Sequence, residues 1–301
     1  MSDSGLPIIF FYHANCMDGF TAAYVAWRRY KDTVYYHALD YKDVIPLDLI
    51  TNRQVYMLDM CLDEKRMRHI AEVSKHPVFV LDHHIGMQET FLKLQEEHVV
   101  YGSFDLQFSG AGLAWNWFNA PDAAPWLIQA VEDRDLWKFH LADTKSVLAY
   151  VAAHDFDFET WRSFAVLLEY PANRRDFASR GNAILQYQNK LIRSAVKNKV
   201  IHKRIGEHSV PCLNLDYSMA SEAGHIMAEH APFAAIYNDE PKGRRYSLRS
   251  NKKGGVDVCA IAKQYGGGGH ANAAGFFIPW SRIAEVEAGF AFNVLSGFGE
   301  K

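Results

Sequence analysis

The chain has 301 residues, a length that suits two domains. Its 49% hydrophobic and 22% charged content is that of an ordinary folded protein. With 32 Lys+Arg against 35 Asp+Glu and a formal net charge of −3, it does not suit coating long duplex nucleic acid, while a small phosphorylated substrate in a local basic pocket remains compatible.

The first half alternates strand and helix patterns. Residues 8–13 form a compact apolar strand, and residues 18–30 follow with small and aromatic side chains at helical spacing. Residues 34–38 and 54–59 read as two further strands, residues 63–74 as a charged helix, and residues 77–82 as a fourth strand. Strand–helix alternation predicts a parallel sheet with crossover helices. The middle is helical: one helix opens at 109–112 and runs to Asn119, another covers 125–132, and tryptophans 115, 117, 126, 137 and 161 read as core anchors. A polar helical stretch over 173–199 reads as a connector. A second alternation then places strands at 210–215, 233–237 and 246–250 and helices at 221–230 and 256–265. A run of four glycines, 266–269, leads into a strand at 276–279 and a last helix at 281–295.

The expected fold is therefore α/β. An N-terminal parallel-sheet domain (1–175) and a smaller α/β C-terminal domain (200–301) are joined by a helical connector (176–199). Cysteines 16, 61, 212 and 259 make no CxxC pair, which favours a reducing compartment. The first residues lack the basic and apolar regions of a secretion signal, and no segment reaches the ~20 apolar residues of a membrane span. A cytoplasmic protein is expected. Oligomeric state is left open, and a homodimer is compatible with the sequence.

Chemistry concentrates where apolar runs end. The fourth strand ends in Asp82-His83-His84. A carboxylate and two imidazoles packed without a charged partner would be costly, and a bound cation reverses that. The third strand ends in Asp59, and the first runs into His13-Ala14-Asn15-Cys16-Met17-Asp18-Gly19. Taken singly, Asp18 and Asp59 have a plain alternative as helix caps. Taken together, neighbouring parallel strands place ligands along one edge, where α/β sheets bind them. Oxygen and imidazole donors without thiolate pairs suit hard or borderline cations such as manganese. A carboxylate shared by two ions fits phosphoryl chemistry, with the metals roughly 3.5–4 Å apart. A fourth carboxylate is expected from Glu132-Asp133-Arg134-Asp135, with Asp133 preferred over Asp135. Four consecutive glycines are entropically costly and make sense where backbone amides approach an anion, the alternative being a flexible turn. Arg249, ending its strand, can reach a phosphate bidentately or sit as an exposed edge arginine. Tyr265 and Phe276 are candidates for stacking a base.

Val80-Leu81-Asp82-His83-His84 and the segment Gly267-Gly268-Gly269-His270-Ala271-Asn272-Ala273-Ala274-Gly275 together resemble the DHH phosphoesterase superfamily, in the branch carrying the DHH-associated (DHHA) C-terminal domain. The resemblance covers nearly the whole chain. It implies a hydrolase with two divalent ions, most often manganese. His13 would bind the first and Asp18 the second, Asp59 would bridge them, and His83 and Asp133 would complete the second site. His84 would face the substrate phosphate. Arg249, Gly267, Gly268, Gly269, His270 and Asn272 would hold the substrate. Many members carry two aspartates in the first motif, and here Cys16 stands in place of the first. It is a thiolate ligand, the mark of a weakened metal site, or an inert cysteine. The implied activity is a nuclease-like phosphodiesterase cleaving dinucleotides or nanoRNA to mononucleotides. The alternatives are another phosphoester or polyphosphate hydrolase, or a nucleotide-binding regulator with an impaired metal site.

Overall fold

The structure is a computed structural model and describes residues 7–251 and 254–287. Its strands are β1 (Ile8–His13), β2 (Tyr35–Leu39), β3 (Gln54–Leu58), β4 (Val78–Asp82), β5 (Val100–Phe104), β6 (Ile201–Ile205), β7 (His208–Asn214), β8 (Ala234–Glu240), β9 (Gly243–Arg249), β10 (Gly268–His270) and β11 (Ala273–Pro279). Its α-helices are α1 (Met17–Tyr30), α2 (Leu47–Ile50), α3 (Glu64–Ser74), α4 (Gln88–Glu96), α5 (Gly110–Asn119), α6 (Trp126–Asp135), α7 (Thr144–Val151), α8 (Phe158–Leu167), α9 (Pro171–Lys199), α10 (Ala220–Ala228), α11 (Val258–Gln264) and α12 (Ile283–Glu287). Of the helix expected at 281–295, residues 288–295 lie outside the described residues. The chain divides into two units, Met1–Leu185 and Gln186–Lys301, and the division falls within α9. Among the described residues no helix is long and apolar enough to cross a membrane.

The first unit is built on a five-stranded sheet of order β2-β1-β3-β4-β5, parallel throughout. Its strands are apolar on both faces, as sheets covered on both sides require. In β1, Ile8 and Phe10 join one core while Ile9 and Phe11 join the other. The first core is closed by α1 and α5, through Phe20, Tyr24, Trp27, Ala111 and Trp115. The second is closed by Met67 and Ile70 of α3 and Phe91 and Leu94 of α4. Every residue of α1 from Asp18 to Trp27 is buried, so this helix is enclosed on all sides, and its alanines and Gly19 let neighbours approach. Trp115 and Trp161 are buried anchors, whereas Trp117, Trp126 and Trp137 are only half-buried.

Strand β5 escapes a pattern reading because Gly102 interrupts it. Gly102 has φ of 135°, and a Cβ there would lie 1.9 Å from the Val80 carbonyl oxygen. The glycine is what lets β5 pair with β4.

The second unit is a six-stranded sheet of order β10-β11-β9-β8-β7-β6. Only β7 and β8 run parallel; the other pairs are antiparallel. Val258, Ile261 and Ala262 of α11 cover Tyr246, Leu248 and Phe276 on one face. Ala223 and Met227 of α10, with Ile192 and Ala195 of α9, cover Leu213, Ala234 and Ile236 on the other.

Candidate metal centre

In a sheet of order 2-1-3-4-5 the connections reverse direction between β1 and β3. Ligands of open α/β sheets sit outside the carboxyl ends of the strands at such a switch point. His13 ends β1, Asp59 follows β3, and Asp82-His83-His84 ends β4, so these side chains share that edge. Asp59 has φ of 59°, the left-handed region that Asp tolerates better than most residues. Its amide donates to the Leu81 carbonyl at 2.8 Å. Two glycines make close approaches here. A Cβ on Gly19 would lie 2.5 Å from the His13 carbonyl oxygen, and one on Gly110 would lie 2.4 Å from Asp59 Cβ.

His83 Nε2 lies among three carboxylates: Asp59 Oδ1 at 3.2 Å, Asp135 Oδ2 at 3.5 Å and Asp18 Oδ2 at 3.7 Å. His83, Asp18 and Asp59 are all at least 98% buried. Burial works against the imidazolium, but the hydrogen bond to Asp59 and the charges of Asp135, Asp59 and Asp18 outweigh it and raise the His83 pKa to about 10. The Asp18 carboxyl is pushed well up by burial and by Asp59 and Asp135. Burial and the Asp59 charge push Asp135 up as well, with His83 opposing. Asp59 goes the other way. Burial opposes its charge, yet His13 and His83 hold it well below the usual carboxylate range.

Asp18 does not cap its own helix. Its Oδ2 accepts from the Gly110 amide at 2.6 Å and its Oδ1 from the Ala111 amide at 3.0 Å. The carboxylate therefore caps α5 and ties that helix to the site. Asp82 is a positioning residue. Its Oδ1 accepts from the His83 and His84 amides at 2.8 and 3.3 Å, and from His84 Nδ1 at 2.7 Å. A carboxylate partner favours Nδ1 as the protonated nitrogen of His84 and holds the ring in place.

The expected fourth carboxylate needs correction. Asp133 is turned away from this cluster. Its Oδ1 accepts from the His140 amide at 2.7 Å, and its Oδ2 accepts from the Leu141 amide at 3.2 Å and Thr144 Oγ1 at 2.7 Å. It holds the turn from α6 into α7, whose backbone passes through positive φ at Trp137 and Phe139. Asp135 is the residue that faces His83. Tyr41, not singled out in the sequence, packs its ring against His13 and His84 at centroid distances of 5.3 and 6.3 Å. Its hydroxyl is buried without a hydrogen-bond partner, and burial with the nearby Asp82 and Asp59 charges pushes its pKa well up.

The donors fit divalent cations. Among the described residues, buried Asp59 Oδ2 and Asp82 Oδ2 make no hydrogen bond, so each carboxylate keeps an oxygen that could bind a cation. Within the first unit, three sets bring one donor atom each to within 4.8 Å of one another: His13, Cys16 and Asp59; Asp18, Asp59 and His83; and Asp59, Asp82 and His84. Asp59 is common to all three. Burial, followed by the Asp59, Asp18 and Asp135 charges, pushes the Cys16 thiol well up.

In the second unit, Arg249 Nη2 donates to Ser221 Oγ at 3.0 Å and Nη1 to the Leu248 carbonyl at 2.9 Å. Asn272 Nδ2 donates to Ser250 Oγ at 2.9 Å. The glycine run is neither a free loop nor wholly an anion cradle. The Gly266 and Gly267 amides close the end of α11 on the Lys263 and Ala262 carbonyls, so Gly267 cannot offer its amide to substrate. Gly268, Gly269 and His270 form the edge strand β10. A Cβ on Gly268 would meet nothing within 4 Å, so this position faces open space. Tyr265 and Phe276 are not a base platform. They stack on each other at 4.6 Å, Phe276 is buried in the core, and the Tyr265 hydroxyl accepts from the Gly206 amide.

Residues 216–289 match the DHHA1 domain family. The chain is 29% identical over 288 residues to the uncharacterized protein R106 of Acanthamoeba polyphaga mimivirus, covering 88% of this chain and 66% of the viral protein. Its fold is similar to that of RecJ from Thermus thermophilus, solved in complex with Mn2+. The TM-score is 0.51 at 14% identity over 94% of this chain, and the chain spans 51% of RecJ. A pGpG-specific phosphodiesterase, PggH from Vibrio cholerae, aligns over 93% of this chain and 96% of its own at 12% identity, with a TM-score of 0.43 too low to carry an argument. Residues 216–289 thus carry the match to the DHHA1 domain family, and the RecJ-like fold of the chain, with Asp82-His83-His84 at its strand end, agrees with the resemblance to the DHH phosphoesterase superfamily.

Proposed function

We propose that the chain is a metal-dependent phosphoesterase that hydrolyses short linear nucleotides, dinucleotides or nanoRNA, to mononucleotides. The observation that carries the reading is the placement of His83 Nε2 within 3.7 Å of three carboxylates at the sheet's switch point, with a buried, unpartnered Asp59 oxygen beside it. Asp18, Asp59, His83 and Asp135 would hold one divalent ion, and His13, Asp59 and Cys16 a second. Manganese suits oxygen and imidazole donors and is the ion in the RecJ structure. Such ions activate a water and neutralise charge on phosphoryl oxygens.

The chain's own residues do the remaining work. Asp82 holds the His84 ring through Nδ1, and that ring, 18% exposed, would meet a phosphoryl oxygen. Asp18 fixes α5 behind the bridging Asp59. In the second unit, Arg249 is anchored by two of its five N–H donors, which leaves the others for a terminal phosphate. The open face at Gly268 admits close backbone approach, with Gly269, His270 and Asn272 alongside. The near-neutral charge favours a short substrate over a long polymer.

The test is a product-resolved assay with manganese on a 5′-phosphorylated dinucleotide, a cyclic dinucleotide and polyphosphate. Mononucleotides should form fastest from the linear dinucleotide and should disappear with chelator. Release of phosphate from polyphosphate with the dinucleotide left intact would overturn the substrate assignment.

A further inference from the structure

We propose that Cys16 is a thiolate ligand, so that His13, Cys16 and Asp59 form a nitrogen–sulfur–oxygen site for a thiophilic divalent ion, zinc or iron(II). The neighbouring position of Asp18, Asp59, His83 and Asp135 takes a harder ion such as manganese. The chain is then a mixed-metal protein. This inference deepens the proposed function and rests on its reading of the site.

Three observations carry it. A His13 ring nitrogen, Cys16 Sγ and an Asp59 oxygen lie within 4.8 Å of one another, near the spacing of donors around one ion with bonds of about 2.0–2.3 Å. Asp59 Oδ2 is 99% buried, has no hydrogen-bond partner, and lies 3.3 Å from His13 Nδ1. The third observation is the use made of the four thiols. Cys61, Cys212 and Cys259 are buried and each directs its Sγ at a backbone carbonyl, of Leu62, Val210 and Gly269. Cys16, the half-buried one of the four, sits at the N-cap of α1. Its thiol lies beside the imidazole and the carboxylate, at the start of α1.

A soft sulfur donor shifts a site's preference away from manganese and magnesium and toward zinc and iron. Binding exchanges the S–H bond for a sulfur–metal bond and releases one proton to solvent. The adjacent set contains only oxygen and imidazole donors and keeps the harder preference.

The probe is cobalt(II), loaded into chelator-stripped protein and followed by absorption spectroscopy. The wild type should bind two cobalt ions and show a near-ultraviolet sulfur-to-cobalt charge-transfer band. Cys16→Ser and Cys16→Ala should lose the band while keeping native circular dichroism, and Cys61→Ser should keep it. In competition between zinc and manganese, the wild type should retain one zinc. Cys16→Asp should lower its zinc-over-manganese preference by roughly ten- to a hundredfold. Two bound cobalt ions without a band, a band that survives in Cys16→Ser, an unchanged metal ratio in Cys16→Asp, or no cobalt bound would each overturn the inference. Dinucleotide hydrolysis with manganese in a protein lacking the band would sink the sulfur ligand and leave the proposed function standing. A Cys16-dependent band without hydrolysis of any phosphoester would do the reverse.

Discussion

Two aspartates, two residues apart at the end of α6, should fail in opposite ways when neutralised. Asp133 accepts three hydrogen bonds within its own turn, from His140, Leu141 and Thr144. Asn at this position turns one acceptor oxygen into a donor and removes the charge, so one or two of those bonds are lost. At about 1.5–3 kcal/mol per charge-assisted bond, Asp133→Asn should cost roughly 2–5 kcal/mol. At about 2–4 °C per kcal/mol for a unit of this size, the metal-free melting temperature should drop by roughly 4–20 °C. Asp135 has no such bonds to lose, and its carboxyl is pushed up by burial and the Asp59 charge. Asp135→Asn should leave the metal-free melting temperature within a few degrees of wild type, yet weaken manganese binding by roughly ten- to a hundredfold. The assay is thermal melting in chelator beside manganese titration calorimetry on both variants. The reasoning fails if Asp133→Asn melts like wild type without metal and loses more manganese affinity than Asp135→Asn.

Three further outcomes follow from the geometry. In the metal-free protein the His83 pKa is about 10 against an ordinary 6.5, so its stabilisation is complete below 6.5 and lost as pH rises through 10. The raised Asp18 carboxyl acts in the same direction. Metal-free melting temperatures should therefore fall between pH 6.5 and 10, and saturating manganese should flatten the slope; a rise over that window would contradict this. Gly267→Val should destabilise the second unit, because its Cβ would lie 2.1 Å from the Gly275 carbonyl oxygen, whereas Gly268→Val has open space. Gly268→Val should keep its melting temperature and metal content but bind a 5′-phosphorylated dinucleotide more weakly, and equal melting losses in both variants would count against a substrate role. Arg249→Ala should weaken that dinucleotide by roughly ten- to a hundredfold, about 1.5–3 kcal/mol for a charge-assisted contact, with a smaller loss for the unphosphorylated form; equal losses would remove the terminal-phosphate assignment.

The α/β fold was legible because buried parallel strands announce themselves as apolar runs that stop abruptly at a polar residue. That rule located His13, Asp59 and Asp82-His83-His84 at strand ends, and their sharing one edge follows from parallel pairing. What sequence spacing does not carry is which way a side chain turns at a helix end. Asp133 and Asp135 point apart because both lie in α6, where positions two apart face nearly opposite sides, and Thr144 on the next helix, reaching back to Asp133, decides which of them is left for the sheet edge. That is a tertiary effect. The glycine run was legible only in part for a related reason: its first two amides finish a helix and the rest add an edge strand, a division of labour that a local pattern does not show. Tyr265 and Phe276 read as candidates for stacking a base because the sequence does not show that they stack on each other, and Phe276 on Tyr246 as well. The resemblance in the strand-end and glycine motifs supplied what spacing alone did not, the expectation of a shared carboxylate at Asp59.

The most direct test of the account is anomalous diffraction from crystals of the manganese-loaded protein. Two ions should appear roughly 3.5–4 Å apart, with His83, Asp18 and Asp135 on one, His13 on the other and Asp59 on both. No anomalous peak at the ends of β1, β3 and β4, or an ion held by Asp133 in place of Asp135, would contradict it.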